Sequence, residues 1–337
     1  MPAFSMQKQS ARNLVLSPNA QIAYGGILAE NKLTTRQRFN PSTVFEKMAS
    51  RRTDKNAAGK GSEWATNSQL TAWDIKGTLK SEADAFLVGW MCAFVFGQET
   101  VTGAAAPYTH TFTVPNISAT MPCTTIYVEE TAAVKYKLQD MAATGLSFEV
   151  PERGSITASC DLVGTGLWTP GAMVAALPAL IPADYLLGSD FTITITPSGG
   201  GGAVPFSGRQ KSLSIKLDRS AAPFKASGDG LTSGSVASGA GKFSIGFTVA
   251  AEATDDVNGW FENQTPLAIT VATNPALTYQ LGFTFPSAVV KANKLTDTED
   301  KVMWAVEFDE TSCLQVGAAS AISAFVITDC PAYLVPA

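Results

Sequence analysis

The sequence is poor in the residues that most often carry chemistry. Its 337 residues include one histidine, His110, and five cysteines with no Cys-x-x-Cys spacing. A zinc site needs about four closely spaced thiolate or imidazole ligands, which this composition does not offer. His110 shares a predicted strand face with Tyr108 and Phe112, which favours a packed histidine over a general base. The sequence therefore predicts no catalytic residues, no metal site and no cofactor.

Long apolar runs are also absent. The longest, residues 86–96, is interrupted by Gly89 and falls short of the about 20 residues that span a bilayer. The first ten residues lack the apolar core of a secretory signal. We therefore expect no membrane anchor, and we expect the cysteines to be small buried hydrophobes in a protein made in a reducing cytoplasm.

Charge is scarce and unevenly distributed. Charged residues form 16% of the chain and hydrophobic residues 45%, whereas about 25% charged is usual for soluble domains. Such a chain is expected to bury part of its surface between subunits. The net charge is +7 over residues 1–60 and −12 over residues 61–337. Opposite potentials of this kind guide association between copies of a chain.

The basic segment has two possible partners, nucleic acid and the acidic body of a neighbouring copy. A solvated basic loop with no partner is the third interpretation. No aromatic residue stands among its basic residues at 51–55, so the stacking platform of a single-strand binder is missing. We favour docking on a neighbouring copy, and we expect an assembly loop that contains Lys47, Arg51, Arg52, Lys55 and Lys60.

What the chain does contain is the same unit twice. Residues 75–90 align without a gap with residues 245–260, and six of the sixteen positions are identical. A second block of matches follows after a shift of one residue. Duplication without duplicated catalytic residues is typical of rings and fibres built from pseudo-equivalent parts. The equivalences that we expect to be structural are Trp90 with Trp260 and Pro115 with Pro286.

The apolar pattern predicts a mainly β (α+β) fold. Alternation of apolar and polar residues with a period of two, rich in β-branched and aromatic side chains, is typical of strands. It occurs at residues 70–79, 108–114, 124–128, 146–150, 191–196, 213–217, 243–249, 267–271, 279–285 and 302–308.

Each copy is predicted to carry one short flanking helix. In the first copy Ser81 is the expected N-cap and Asp84 the expected N3 residue. In the second copy residues 254–256, Thr-Asp-Asp, provide a cap and two carboxylates. The Gly-Trp pair that follows in each copy is expected to let the chain turn while the indole packs under the sheet.

These patterns predict two tandem β-sandwich or barrel-like domains. We expect an N-terminal extension at residues 1–32, a first domain at 33–180 with a long polar loop at 45–68, and a second domain at 181–337. Adjacent carboxylates occur at 129–130, 255–256 and 299–300. Neighbouring residues on a strand point to opposite faces, and capping or a turn explains the other two pairs. A hydrolase with two distant carboxylates stays open, because sequence spacing does not test it.

Three segments resemble a known family. They are Leu16-Ser17-Pro18-Asn19-Ala20, Arg36-Gln37-Arg38-Phe39 and residues 59–66, Gly-Lys-Gly-Ser-Glu-Trp-Ala-Thr. They are similar to the opening of tail tube (major tail) proteins from long-tailed, non-contractile phages. The later order of strand, acidic-capped helix, Gly-Trp and Tyr-x-x-x-Phe-Thr-x-Pro strand is similar too. The resemblance covers most of the chain, and residues 59–66 are its most specific part.

The resemblance implies a structural virion protein with no enzymatic activity, whose sandwich-like subunits form stacked rings around a DNA channel. Implied partners are other copies of the chain, other tail proteins and double-stranded DNA that passes without specific binding. Some members carry the fold twice, so three chains make a pseudo-sixfold ring; a hexamer is the alternative. The immunoglobulin-like domain of many members is expected to be missing, since the chain stops soon after the second copy.

The implied location is the phage tail, after synthesis in the bacterial cytoplasm. Two other functions stay open at this point. One is a non-enzymatic β-sandwich binding module, such as an adhesin or another virion component. The other is a hydrolase that works through carboxylates.

Overall fold

The computed structural model describes most of the chain. The described residues are 12–21, 23–53, 64–65, 67–115, 121–181, 184–198, 202–228, 230–252, 254–298, 301–316 and 320–336. The candidate residues Lys55 and Lys60 lie outside them, as does the carboxylate pair at 299–300.

Strands dominate both halves of the chain. The first half contains β1 Asn13–Leu16, β2 Asn19–Ala20, β3 Thr35–Gln37, β4 Val44–Thr53, β5 Ser68–Glu82, α1 Ala85–Phe96, β6 Gln98–Thr102, β7 Tyr108–Thr113, β8 Cys123–Glu129, β9 Lys135–Pro151, β10 Thr157–Gly164 and β11 Trp168–Pro170. The second half contains β12 Phe191–Pro197, β13 Val204–Pro205, β14 Gln210–Asp218, β15 Ala222–Phe224, β16 Ser235–Ala237, β17 Lys242–Ala250, α2 Val257–Glu262, β18 Leu267–Thr273, β19 Gln280–Ala288, β20 Ala292–Thr298, β21 Lys301–Asp309, β22 Ser323–Thr328 and β23 Val335–Pro336. Two 3-10 turns cover Glu30–Lys32 and Gly188–Asp190.

The large sheet repeats one strand order. Its path runs β20-β21-β17-β14-β9-β10-β5-β4, and β1, β3, β8 and β11 attach beside it. The first copy supplies β4-β5-β10-β9 and the second β14-β17-β21-β20, the same order of counterparts. Every neighbouring pair is antiparallel. The sequence repeat is therefore a structural repeat, and β9 with β14 joins its two units.

A second sheet covers one face of the large sheet. Its order is β13-β12-β18-β19-β22-β7-β6, and it mixes strands of both copies. Phe148 on β9 of the large sheet lies 5.7 Å from Phe191 and 5.4 Å from Phe283, ring centre to ring centre, on strands of the second sheet. Apolar faces that meet in this way make a mainly β sandwich with one shared core. The predicted mainly β fold is confirmed.

The two copies do not separate into independent bodies. Strand β22, near the carboxyl end, lies between β19 of the second copy and β7 of the first. The predicted division at residues 180/181 thus marks two sequence halves that share both sheets. The predicted polar loop at 45–68 also differs from the structure, because residues 44–53 form β4 and β5 begins at Ser68.

Helix α1 begins three residues later than its sequence signal predicts. Asp84 is the N-cap, and its carboxylate accepts a hydrogen bond of 2.9 Å from the Leu87 amide. Ser81 stays in β5 because the strand pairing with β10 runs to Glu82. Every residue of α1 except Phe86 is buried. The helix therefore lies inside the core, whereas the sequence predicted a helix on the flank of the sheet. A helix that is apolar all round is stable only inside a core.

The Gly-Trp pair does not turn the chain in the first copy. Gly89 and Trp90 lie inside α1, and the Trp90 indole donates a 2.8 Å hydrogen bond to the Ser17 carbonyl. A Cβ at residue 89 would lie 2.7 Å from the hydroxyl of the buried Tyr333. The glycine therefore serves close packing of the carboxyl-terminal segment onto α1.

The counterparts of these residues occupy a more exposed environment. Trp260 lies in the short helix α2 and is 7% exposed, whereas Trp90 is fully buried. Asp256 is the N-cap of α2 and makes no side-chain cap hydrogen bond, whereas Asp255 pairs with Arg209 at 2.9 Å. Pro286 lies within β19, and Pro115 follows the end of β7.

We predict that Gly89→Val lowers the free energy of unfolding by about 2–3 kcal/mol, because an added side chain overpacks against Tyr333. The matched control is Gly241→Val, since nothing lies within 4 Å of a Cβ at that residue. Urea unfolding of both variants measures the difference. Equal urea midpoints for the two variants would show that Tyr333 moves aside with no loss of stability.

Candidate functional site

The main path of the large sheet ends in two free edges. Strand β4 closes the path on one side and β20 on the other. Among the described residues, β4 pairs only with β5 and β20 only with β21. A sheet edge presents unpaired backbone N–H and C=O groups, which is a template for pairing with another strand.

The pairing of β9 with β14, which joins the two copies, shows how such an edge pairs with another strand. In β9·β14, Leu146 stands opposite Leu217 and Phe148 opposite Ile215. None of these four side chains is more than 3% exposed. This internal contact is therefore a continuous ladder with a buried apolar face.

The repeat identifies β4 as the counterpart of β14. Ile75 of β5 aligns with Ile245 of β17, and their partners on the next strand are Lys47 and Ile215. Lys47 thus holds the place that the buried Ile215 holds in the second copy. Two residues further, Ala49 holds the place of Leu217 by the same register.

Strand β20 is likewise the counterpart of β9. Leu79 aligns with Val249; their partners are Cys160 on β10 and Trp304 on β21. Cys160 stands opposite Leu146, and Trp304 stands opposite Leu295. Leu295 is 50% exposed, although its counterpart Leu146 is 3% exposed. The free edge therefore leaves open an apolar position that is buried at the internal join.

Three of the five predicted assembly residues, Lys47, Arg51 and Arg52, lie on edge strand β4 rather than in a loop. Lys47 holds its ammonium 4.8 Å from the centre of the Trp73 ring, and Arg51 and Arg52 are exposed near the end of β4. The structure brings these three residues together on β4. Sequence reasoning missed β4 and β20 as strands, because both faces of β4 carry polar residues and the period-two signal is lost.

The face of the large sheet opposite the core is open and polar. Register and strand alternation place on it the carboxylates of Glu46, Asp74, Glu82, Glu149, Asp161, Asp218, Glu307 and Asp309, with the amines of Lys76, Lys80, Lys216, Lys242 and Lys294. Glu149 and Lys216 lie 3.5 Å apart. Carboxylates outnumber amines, so this face has a negative formal charge.

The histidine and the carboxylate pair at 129–130 make hydrogen bonds and ion pairs within the fold. His110 is buried, and its Nδ1 lies 2.7 Å from Glu99; Glu99 also accepts hydrogen bonds from the amides of Tyr333 and Leu334. This cluster attaches the carboxyl-terminal segment to β6 and β7. Glu129 pairs with Lys135, while Glu130 pairs with Arg12.

The five cysteines are all buried and free. Burial raises the pKa of the Cys330 thiol to about 11 and that of the Cys313 thiol to about 12. The thiolate is the reactive form of cysteine, so these two thiols are unreactive near neutral pH. Their role is that of small apolar side chains, as the sequence predicts.

In the described part of the chain, no cluster of three or more histidine, cysteine, aspartate or glutamate side chains has the geometry to hold a metal ion. Over the same residues, neither helix has the length and apolar character that crossing a bilayer demands.

Comparison with known proteins identifies one family. A family model described as phage tail tube protein matches residues 63–311. The match covers more than half of the chain and runs through both copies, from β5 to β21. No curated protein matches the sequence.

The matched edge positions give a stability test of the repeat. Ile215→Lys should lower the free energy of unfolding by about 3–5 kcal/mol, because it places an unpaired charge at a buried position. Lys47→Ile should change it by about 1 kcal/mol or less, the range of an exposed cation–π contact. Chemical denaturation of the monomeric chain measures both. Similar losses for the two variants would contradict the assignment of Lys47 to a free edge.

Proposed function

This chain belongs to the phage tail tube protein family, and we propose that it is the structural subunit of a tail tube with no catalytic activity. In this proposal, copies of the chain close into rings, and the rings stack around a channel through which double-stranded DNA passes. The chain is then a component of the virion. The observation that carries the proposal is the pair of free edges, β4 and β20, which are counterparts of the joined strands β14 and β9.

The two edges support closure of a ring by strand pairing. Strand directions alternate along the whole path, so β20 of one chain can pair antiparallel with β4 of the next. That contact repeats β9·β14 between chains. A contact between two different surfaces closes a ring when the rotation it imposes divides a full turn.

Two copies per chain favour three chains per ring. Each chain then supplies eight strands of the path and two of six pseudo-equivalent positions. At about 4.8 Å between strands and a tilt of about 40°, three such paths close a barrel with a backbone diameter of roughly 50 Å. Such a barrel is larger than those of about 16–18 strands that already enclose aqueous channels.

The open polar face of the sheet is proposed to line the channel. The other face carries the second sheet and α1, and this layer fits the larger circumference outside the barrel. A lining with more carboxylates than amines repels DNA phosphates. A basic lining would instead hold DNA through release of counterions.

We predict three chains per ring. Native mass spectrometry of isolated rings measures the stoichiometry, and an electron microscopy map of the tube shows which face is inside. Six chains per ring would contradict the trimer but not the tube. An inner wall with more lysine and arginine than aspartate and glutamate would contradict the proposed orientation.

The basic residues of β4 are proposed to join successive rings. Arg51 and Arg52 are exposed, and the proposal extends to Lys55 and Lys60. Lys47, nearer the middle of β4, is instead proposed to lie at the contact between neighbouring subunits. The support is the charge asymmetry, +7 over residues 1–60 against −12 in the remainder. Single exposed ion pairs contribute about 0–1 kcal/mol, so the contact depends on several of them.

Reversing both charges, Arg51→Glu with Arg52→Glu, should leave folding and ring closure intact and should shorten the tubes, because like charges then meet between rings. The control is Arg153→Glu, an exposed arginine in the turn between β9 and β10. Electron microscopy measures tube length and counts free rings. Tubes of normal length from the double variant would refute this role.

A further inference from the structure

We propose that neighbouring chains join in one register, in which Leu295 of one chain packs on Ala49 and Trp73 of the next. This inference rests on the proposed ring and specifies the contact that closes it. The partner is a second copy of the chain, and the surface comprises β20 on one side and the β4–β5 hairpin on the other.

The register follows from the internal join. There, Leu146 stands opposite Leu217. Leu295 is the counterpart of Leu146, and Ala49 is the counterpart of Leu217. Transferring the β9·β14 ladder to the two free edges therefore places Leu295 opposite Ala49, and Thr296 opposite Met48.

The sizes of the side chains fit this transfer. At the internal join, Phe243 of β17 stands beside Leu217. At the edge, Trp73 stands beside Ala49. Compared with the Phe243–Leu217 pair, the Trp73–Ala49 pair has a larger aromatic ring and a smaller aliphatic side chain. The two size changes compensate, and cores tolerate substitutions that conserve volume. Leu295, half exposed next to the buried Trp304, gains the cover that Leu146 already has.

Charge disfavours one alternative, the pairing of two β4 edges. Pairing β4 with β4 of another copy would bring Lys47, Arg51 and Arg52 together with the same residues of the second chain. Like charges on opposed strands are destabilising, and charges on edge strands are a common device against unwanted pairing. In the head-to-tail register Lys47 stands opposite position 297, an aspartate in the sequence.

Disulfide trapping tests the register. The variant Ala49→Cys with Leu295→Cys should form a bond between chains when assembled tubes are treated with a mild oxidant. Directly opposed residues of antiparallel strands have Cα atoms about 4.5–5.5 Å apart, within the range of a disulfide. The native cysteines are all buried, so they do not compete. Denaturing gels should show covalently linked chains, at least tenfold more than in the control.

The control shifts one partner by two residues, Ala49→Cys with Asn293→Cys. Its Cα atoms would lie roughly 8 Å apart, beyond disulfide reach. Stronger cross-linking in the shifted pair overturns the register and leaves the ring intact. Failure of the wild-type chain to form rings or tubes would instead refute the proposed function.

An electron microscopy map of the wild-type tube would show the register directly, without any substitution. Leu295 opposite Ala49 supports the proposal, and any other residue opposite Leu295 overturns it. This measurement decides the question if the cysteine variants do not assemble. Leu295→Ala should in addition slow tube growth at an unchanged thermal midpoint of the monomer; unchanged growth would contradict the packing role.

Discussion

The pairing of β9 with β14 is the contact on which the rest of this structure depends. It joins the two copies into one sheet, and its buried face of Leu146, Phe148, Ile215 and Leu217 extends the core across the join. The buried Arg219, which follows β14, donates hydrogen bonds to the carbonyls of Val95 and Phe96 at the end of α1. The second copy thereby caps the central helix of the first, and the two copies share one core.

A chain that repeats one sheet unit in tandem has an unavoidable geometric consequence. Each unit has two edges, one edge of each is used at the join, and one edge of each stays free. Leu295 illustrates the result, since it is half exposed where its counterpart is buried. An exposed apolar residue on a free edge is a hazard for aggregation. On the other free edge, the basic residues of β4 disfavour pairing of two β4 strands.

The sequence predicted well most of the strands that bury one face, although it missed β22. All ten predicted strands lie in observed ones, apart from single residues at the ends of β7 and β19. It was less successful for α1, where Asp84 rather than Ser81 is the N-cap, because pairing of β5 with β10 competes with capping for the same residues. It also missed β4 and β20. Their exposed residues carry no period-two pattern, because polar residues stand on both faces of each strand.

By itself, then, the sequence determined the mainly β fold and the duplication, because these depend on local alternation and self-similarity. Only the tertiary structure decided the order of strands in each sheet, and with it which strands are joined and which stay free. Strand order depends on contacts between residues far apart in the chain, such as Leu146 with Leu217. Local propensity contains no record of such contacts, because they are selected by the burial of faces that exist only once the sheets have formed.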